Sequence, residues 1–475
     1  MHTFLRASLA LALSLAFLPA PPAVAQTQPG ASQDAQSAEI DRLRQDIATL
    51  RASYEARLQA LEQRLQAAEA RLAAAPPPAP SSAPASAGGW DAPATAAAPP
   101  AAAPAGANGF NPAVSLILSG LYGRTRRNPS SYAINGFGLP PDAQIGPGGR
   151  GFSLAESELG LAASVDPWFS GQAHISLHPD NSVTVEEAFV QTTALGHGLT
   201  LKAGRFYSSI GYLNAQHAHT WDFVDAPLAY QAMLGTQYND DGVQLKWLAP
   251  TDAFIELAAE LGRGLSFPGG DNDRNGVGMA ALSVHTGGDI GLSNSWRADL
   301  SVLHAKASGQ ALQGLDAAGG VIPSAFSGST RVWVADAVWK WAPNGNAART
   351  NFKLQGEYLR STRDGDLTVD PAGLARTVGY RPLASGWYLQ GVYQFMPAWR
   401  VGLRAERLHA GASADVYAPS GRRPGKYSLM LDYSPSEFSR VRVQFARDRA
   451  RPGAGDNQFF VQYQMSLGAH GAHSY

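Results

Sequence analysis

The chain has 475 residues, 37 Lys and Arg against 38 Asp and Glu, a formal net charge of −1 and no cysteine. Balanced charge gives no reason to expect a nucleic-acid partner, and the lack of cysteine removes disulfides, thiolate metal sites and thiol nucleophiles together. Past the first residues no apolar run approaches the length of about 18 that a spanning helix needs, so a chain with 50 Gly, 32 Pro and only 16% charged residues is either soluble or crosses a membrane as strands, and this composition favours strands.

The N-terminus reads MHTFLR, then the apolar stretch ASLALALSLAFLPA, then Ala23-Val24-Ala25. That order of charge, apolar core and small residues predicts a secretory signal peptide, 1–25, cleaved after Ala25. The alternative, a membrane anchor, needs about 20 apolar residues, and this run is shorter. Over 37–75, Ile40, Leu43, Ile47, Leu50 and Tyr54 recur at steps of three and four. Leu58, Leu61, Leu65, Ala68 and Leu72 resume the pattern after one extra step of four. This predicts a coiled coil with a stutter near Tyr54, whose apolar stripe is buried by self-association or, alternatively, by another surface. Residues 76–109, rich in Pro and Ala, form no core and read as a semi-rigid tether.

From Phe110 the chain repeats alternating segments separated by turns. Trp387, Leu389, Gly391, Tyr393 and Phe395 interleave with Tyr388, Gln390, Val392 and Gln394, and Tyr427, Leu429, Leu431 and Tyr433 continue the pattern. About 16 such segments fit, near 113–124, 152–165, 171–178, 183–193, 199–206, 240–249, 252–262, 276–285, 294–305, 331–342, 350–361, 386–396, 399–409, 426–434, 437–448 and 457–467. Connections alternate in length. VDPWFS, ALGHG, WLAPTDA, FMPAW and YSPSEF are short, whereas 125–151, 207–239, 306–330, 362–385 and 410–425 are long. Short turns at one end and long loops at the other predict, over 110–475, an all-β fold: a transmembrane antiparallel β-barrel with Trp and Tyr girdles. A soluble sandwich or propeller would not alternate its loops in this way. The even count puts both barrel ends on the short-turn, periplasmic side, and Tyr475 stays in phase with Tyr463, Met465 and Leu467.

The run DPWFSGQAHISL, followed by VTVEEAFVQTTALGHGLTLKAGRFYSSIGYLN over 183–214, resembles porin O/P-type channels, the phosphate-selective porin family. There a D-p-x-f-x-g turn precedes v-e-x-A-y-v and l-x-x-G-r-f. The resemblance implies a 16-stranded, trimeric outer-membrane porin whose coiled coil extends into the periplasm, as in some carbohydrate and surface-layer porins. The lysine-rich ladder of the phosphate channels is not evident here. A plug-gated receptor is not expected, because it needs a folded plug inside a barrel of about 22 strands.

With the apolar face toward outer-membrane lipid, the other face lines the lumen. The pore-lining candidates are Lys246, Glu256, Glu260, Arg297, Lys353, Arg400, Arg404, Arg440 and Arg442. Arg400, Arg404, Arg440 and Arg442 fall on 399–409 and 437–448, and Glu256 and Glu260 on 252–262. Opposite walls of opposite sign would set a transverse field, or the same groups form ion pairs without a selective role. No G-x-S-x-G elbow, zincin helix or phosphate-cradling loop occurs, so no enzyme activity and no cofactor are expected. The expected function is a porin passing small hydrophilic solutes or ions with weak selectivity. The alternatives are a structural tether reaching the cell wall through its coiled coil, or a channel responsive to divalent metal. The long connection 207–239 contains NAQHAHTWDFVD. Trp221, Phe223 and Tyr230 are expected to pack it inward as a constriction. Alternatively His217 and His219 with Asp222 or Asp225 bind a divalent metal.

Overall fold

The protein is described by a computed structural model over residues 112–270, 275–411, 416–417 and 423–468. The signal peptide, coiled coil, tether and C-terminal Tyr475 expected from the sequence lie outside the described residues. The strands are β1 (Ala113–Thr125), β2 (Gly151–Leu154), β3 (Ser157–Ser164), β4 (Phe169–Leu177), β5 (Val183–Thr192), β6 (Leu199–Tyr207), β7 (Asn239–Leu248), β8 (Phe254–Gly262) and β9 (Met279–Ile290). They continue with β10 (Asn294–Leu315), β11 (Val321–Trp341), β12 (Asn351–Val369), β13 (Arg376–Tyr380), β14 (Leu383–Met396), β15 (Trp399–Ala410), β16 (Gly425–Ser436), β17 (Ser439–Asp448) and β18 (Asp456–Gly468). A single seven-residue helix, α1 (Leu228–Leu234), is found among the described residues.

Every neighbouring pair is antiparallel, and β1 pairs with β18, closing the sheet. β2 and β3 both pair with β1, and β13 and β14 both pair with β12, so each couple is one interrupted stave and the barrel has sixteen. The breaks have local causes. Pro382 sits at the second and has no N–H for the ladder. At the first, the Ser119 N–H donates to Ser157 Oγ at 3.0 Å in place of a backbone acceptor.

The sixteen alternating segments of the sequence coincide with these staves, but two connections do not. Residues 306–330 and 362–385, expected as long loops, are largely strand: β10 and β11 pair up to Leu315↔Val321, and β11 and β12 up to Ser324↔Val369. Their Gly- and Ser-rich composition reads as loop, yet their inward side chains Leu312, Phe326 and Leu367 are buried, and that burial favours continued pairing. Gly309, at φ 71°, takes the left-handed conformation that the bulge between Ala307 and Gln310 requires. At about 3.3 Å per residue, the 22-residue β10 far exceeds the 9–11 residues that cross a bilayer.

Polarity is inverted relative to a soluble protein. On β16, Lys426, Ser428, Met430 and Asp432 are buried, while Tyr427, Leu429, Leu431 and Tyr433 are exposed. The same holds around the ring, where Leu245, Leu282, Leu300, Leu389, Leu403 and Phe445 face outward. Trp247, Trp339, Tyr393, Tyr433 and Tyr463 form an exposed aromatic row near the short turns, and Tyr358, Trp387 and Tyr427 a second row farther along. Two such girdles around an apolar band mark a transmembrane barrel.

Candidate functional site: a segment folded across the lumen

Between β6 and β7 the chain does not leave the barrel; residues 208–238 fold inward. The neck is closed by Asn214, whose Nδ2 donates to the Ser208 and Tyr238 carbonyls at 2.9 and 2.8 Å and whose Oδ1 accepts the Tyr238 N–H at 2.7 Å. Glu260 on β8 accepts Ser208 Oγ, the Ser209 N–H and Gln244 Nε2 at 2.5–2.8 Å. Glu357 on β12 accepts the Leu213 N–H at 2.9 Å and Tyr230 Oη at 2.6 Å. At Gly211, φ is 68° and a Cβ would come within 2.5 Å of both Glu357 and Tyr230, so the close approach admits only glycine.

The stretch NAQHAHTWDFVD spans from one sector of wall to another. Asp222 lies 2.6 Å from Lys353 Nζ and 3.5 Å from Arg400 Nη1. Asp225 lies 2.8 Å from Arg404 Nη2, accepts Gln444 Nε2 at 3.0 Å and pairs with Lys426. Burial by itself would raise both carboxyls, but Lys353 and Arg400 at Asp222, and Lys426 and Arg404 at Asp225, hold them below the ordinary carboxylate range. His217 and His219 turn the other way. His217 caps and His219 lies within a 3-10 turn, Ala218–Thr220, that precedes the aspartates, and the two face Glu158 on β3 and, from His217, Glu186 and Glu187 on β5.

The aromatic residues of the segment are buried. Trp221 is buried and its Nε1 donates to the Gln216 carbonyl at 3.0 Å. Phe223 packs with Val392 and Met430 beneath the Arg404 guanidinium, 4.5 Å from the ring centroid. Tyr230 is fully buried on α1. Gly235, in the left-handed conformation with φ 67°, ends that helix.

Two of the alternatives that the sequence left open differ from the contacts seen. His217, His219, Asp222 and Asp225 do not converge as one metal set, because the basic side chains of β12, β15 and β16 take both aspartates. The opposed charged walls are also largely neutralised. Arg400 meets Asp222 and Asp432, Arg404 meets Asp225 and Glu406, Arg442 meets Asp432 at 2.7 Å, and Arg440 donates to the His219 carbonyl and to Gln464. On the other side Glu256 pairs with Lys246 at 3.2 Å and His285 at 3.1 Å. Arg297 pairs with Asp299 at 2.6 Å.

Sequence reasoning missed Glu158, His174, Glu186 and Glu187. A register shift between His174 and Ile175 makes Glu186 a bulge residue, so Glu186 and Glu187 are both buried inside. Two consecutive Glu in an otherwise alternating strand are the signal that marks such a bulge. It also missed an apolar zone inside the barrel, where Leu303, Val334, Leu359 and Leu408 pack against Tyr230, Leu234 and the Ile134–Leu139 stretch after β1.

No protein-family model matches the chain. An uncharacterized protein of Aquifex aeolicus (strain VF5) is 30% identical over 401 residues, which cover 77% of this chain and 80% of that protein. Among solved structures the chain is similar to the in-vitro-folded outer membrane protein OmpT of Vibrio cholerae in its trimer form, with 10% identity, 75% of this chain and 99% of that one covered, and a TM-score of 0.45. It is similar at 10% identity to the outer membrane channel DcaP of Acinetobacter baumannii, covering 75% and 97% of the two chains with a TM-score of 0.47. For the anion-selective porin from Comamonas acidovorans the values are 10%, 75%, 99% and 0.47.

Proposed function

We infer that this chain, which belongs to the same family as the uncharacterized Aquifex aeolicus protein, is an outer-membrane porin through which small hydrophilic solutes or ions diffuse past an inward-folded constriction. The observation that supports this best is the inverted surface: a closed barrel with apolar, aromatic-rimmed staves outside and paired Lys, Arg, Asp and Glu inside. Such a surface is stable only in lipid. The candidates Lys246, Glu256, Glu260, Arg297, Lys353, Arg400, Arg404, Arg440 and Arg442 then line the lumen. Their pairing with opposite charges favours weak selectivity over strong selection by sign. The resemblance to phosphate-selective porins adds a homotrimer, with the coiled coil reaching into the periplasm.

The test is single-channel recording of the purified full-length protein in planar bilayers. Discrete conductance steps, with cation-to-anion permeability within a few-fold of unity, are expected. A protein that inserts and passes no current overturns the reading.

A further inference from the structure

Beside the docked segment, three histidines and a glutamate meet where β3, β4 and residues 217–219 come together. His174 Nδ1 lies 2.6 Å from Glu158 Oε1, His217 Nδ1 lies 3.0 Å from Glu158 Oε2, and His219 Nδ1 lies 3.2 Å from the same oxygen. The His174 and His217 rings are 4.4 Å apart, and the donor atoms of Glu158, His174 and His217 all lie within 4.8 Å of one another.

We propose that Glu158, His174 and His217, with His219 beside them, bind one divalent cation of the zinc class. Imidazole nitrogens with a carboxylate oxygen are the donor set that such ions take. A tetrahedral ion with bonds of about 2.1 Å holds its ligands about 3.4 Å apart. The histidine-to-Glu158 spacings of 2.6–3.2 Å therefore need to open by less than about 1 Å, and the widest spacing within the set, at most 4.8 Å, to close by up to about 1.4 Å.

Three further features point the same way. His217 Nε2 lies 3.0 Å from Glu187 Oε2, and the other oxygen of Glu187 accepts the Tyr207 N–H at 2.9 Å. A fixed carboxylate thus takes the Nε2 proton and leaves Nδ1, which faces Glu158 Oε2 at 3.0 Å and Glu186 Oε2 at 3.1 Å, as the ligand. This is the carboxylate–histidine–metal arrangement that orients metal-bound imidazoles. Second, Glu158 Oε2 is buried and accepts no directed hydrogen bond, although two imidazole nitrogens stand beside it. Third, the buried carboxyls of Glu158, Glu186 and Glu187 all lie within 3.1 Å of His217, so three acidic groups share a region that a dication would neutralise. An ion there would tie the lumen segment to the wall at β3 and β4, on the far side of the stretch from the Asp222 and Asp225 contacts. Binding of the metal does not depend on the channel reading.

The experiment is calorimetric titration of zinc chloride into the full-length protein in detergent, with cobalt absorption as the spectroscopic readout. One zinc per chain and a tetrahedral cobalt spectrum are expected. His174→Ala and His217→Ala should each weaken binding by more than tenfold, and Glu187→Gln by about 10- to 100-fold at unchanged stoichiometry. Glu187→Gln keeps the side chain's size and serves where an alanine variant does not fold, with folding read from heat-modifiable migration. His470→Ala with His473→Ala should bind as the parent does. Loss of binding in that tail variant, or unchanged affinity in Glu187→Gln and the folded alanine variants, overturns the proposal. Because the readout is binding and not current, a silent bilayer and a failed titration are separate results.

Discussion

Asp225 meets Arg404, Lys426 and Gln444, side chains from three different staves, and Asp222 meets Lys353 from a fourth and Arg400 from the stave that carries Arg404. Removing one partner of a buried pair costs about 3 kcal/mol or more, since the charge left behind stays desolvated. Asp225→Asn is therefore expected to loosen the lumen segment, which would show as faster trypsin cleavage within 208–238 and noisier, larger current steps. Conservative Asp225→Glu should restore part of the effect. The two carboxyls are held below their ordinary range. Their contribution is present above the unfolded value near 4 and is lost only as pH falls through the lower folded value. Protease resistance of the segment is accordingly expected to persist at pH 5 and to fail only well below pH 4; failure at pH 5 to 6 would mean that other groups hold it. At this scale the sequence was half legible. Inward charges such as Arg404 and Lys353 follow from period two. The partners of His217 do not, because a one-residue bulge at Glu186 and contacts across some thirty residues of chain leave no periodic trace.

Strands were the most legible elements, since lipid on one side and a polar lumen on the other force every stave to alternate. β16 shows it plainly, with Tyr427, Leu429, Leu431 and Tyr433 out and Lys426, Ser428 and Asp432 in. The upper halves of β10, β11 and β12 escaped that reading because inward positions there are apolar as well, packing on Ile134, Phe137 and Leu139. The lumen segment is bound mostly through side chains and a small helix, without adding a strand to the ladder. Deleting residues 212–232 should therefore leave the barrel assembled and heat-modifiable while conductance rises several-fold and bulkier solutes pass. A deletion variant that folds with unchanged conductance would show that this segment is not the constriction.

For the whole molecule, the barrel was readable as a count of alternating segments and an alternation of turn lengths. The coiled coil of 37–75 lies outside the described residues and stands as a proposal. A peptide of that segment is expected to sediment as an oligomer, and Leu43→Ser with Leu50→Ser to reduce it to monomer; an unchanged mass would remove self-association from its role. One asymmetry of the rim has its own outcome. β9 begins at Met279, opposite Ala305, so β10 rises beyond it from Ala307 to Leu315 with no strand along that side among the described residues. Two clasps cover the gap. Gly270 donates to the Lys306 carbonyl and accepts the Ser308 N–H, and Leu139 and Gln313 exchange N–H and C=O bonds at 2.9 and 2.7 Å. A bare ladder invites strand addition by another polypeptide. With Leu139 and Gly270 in place those backbone groups are already taken, so the tall wall can rise past its neighbour without templating such pairing.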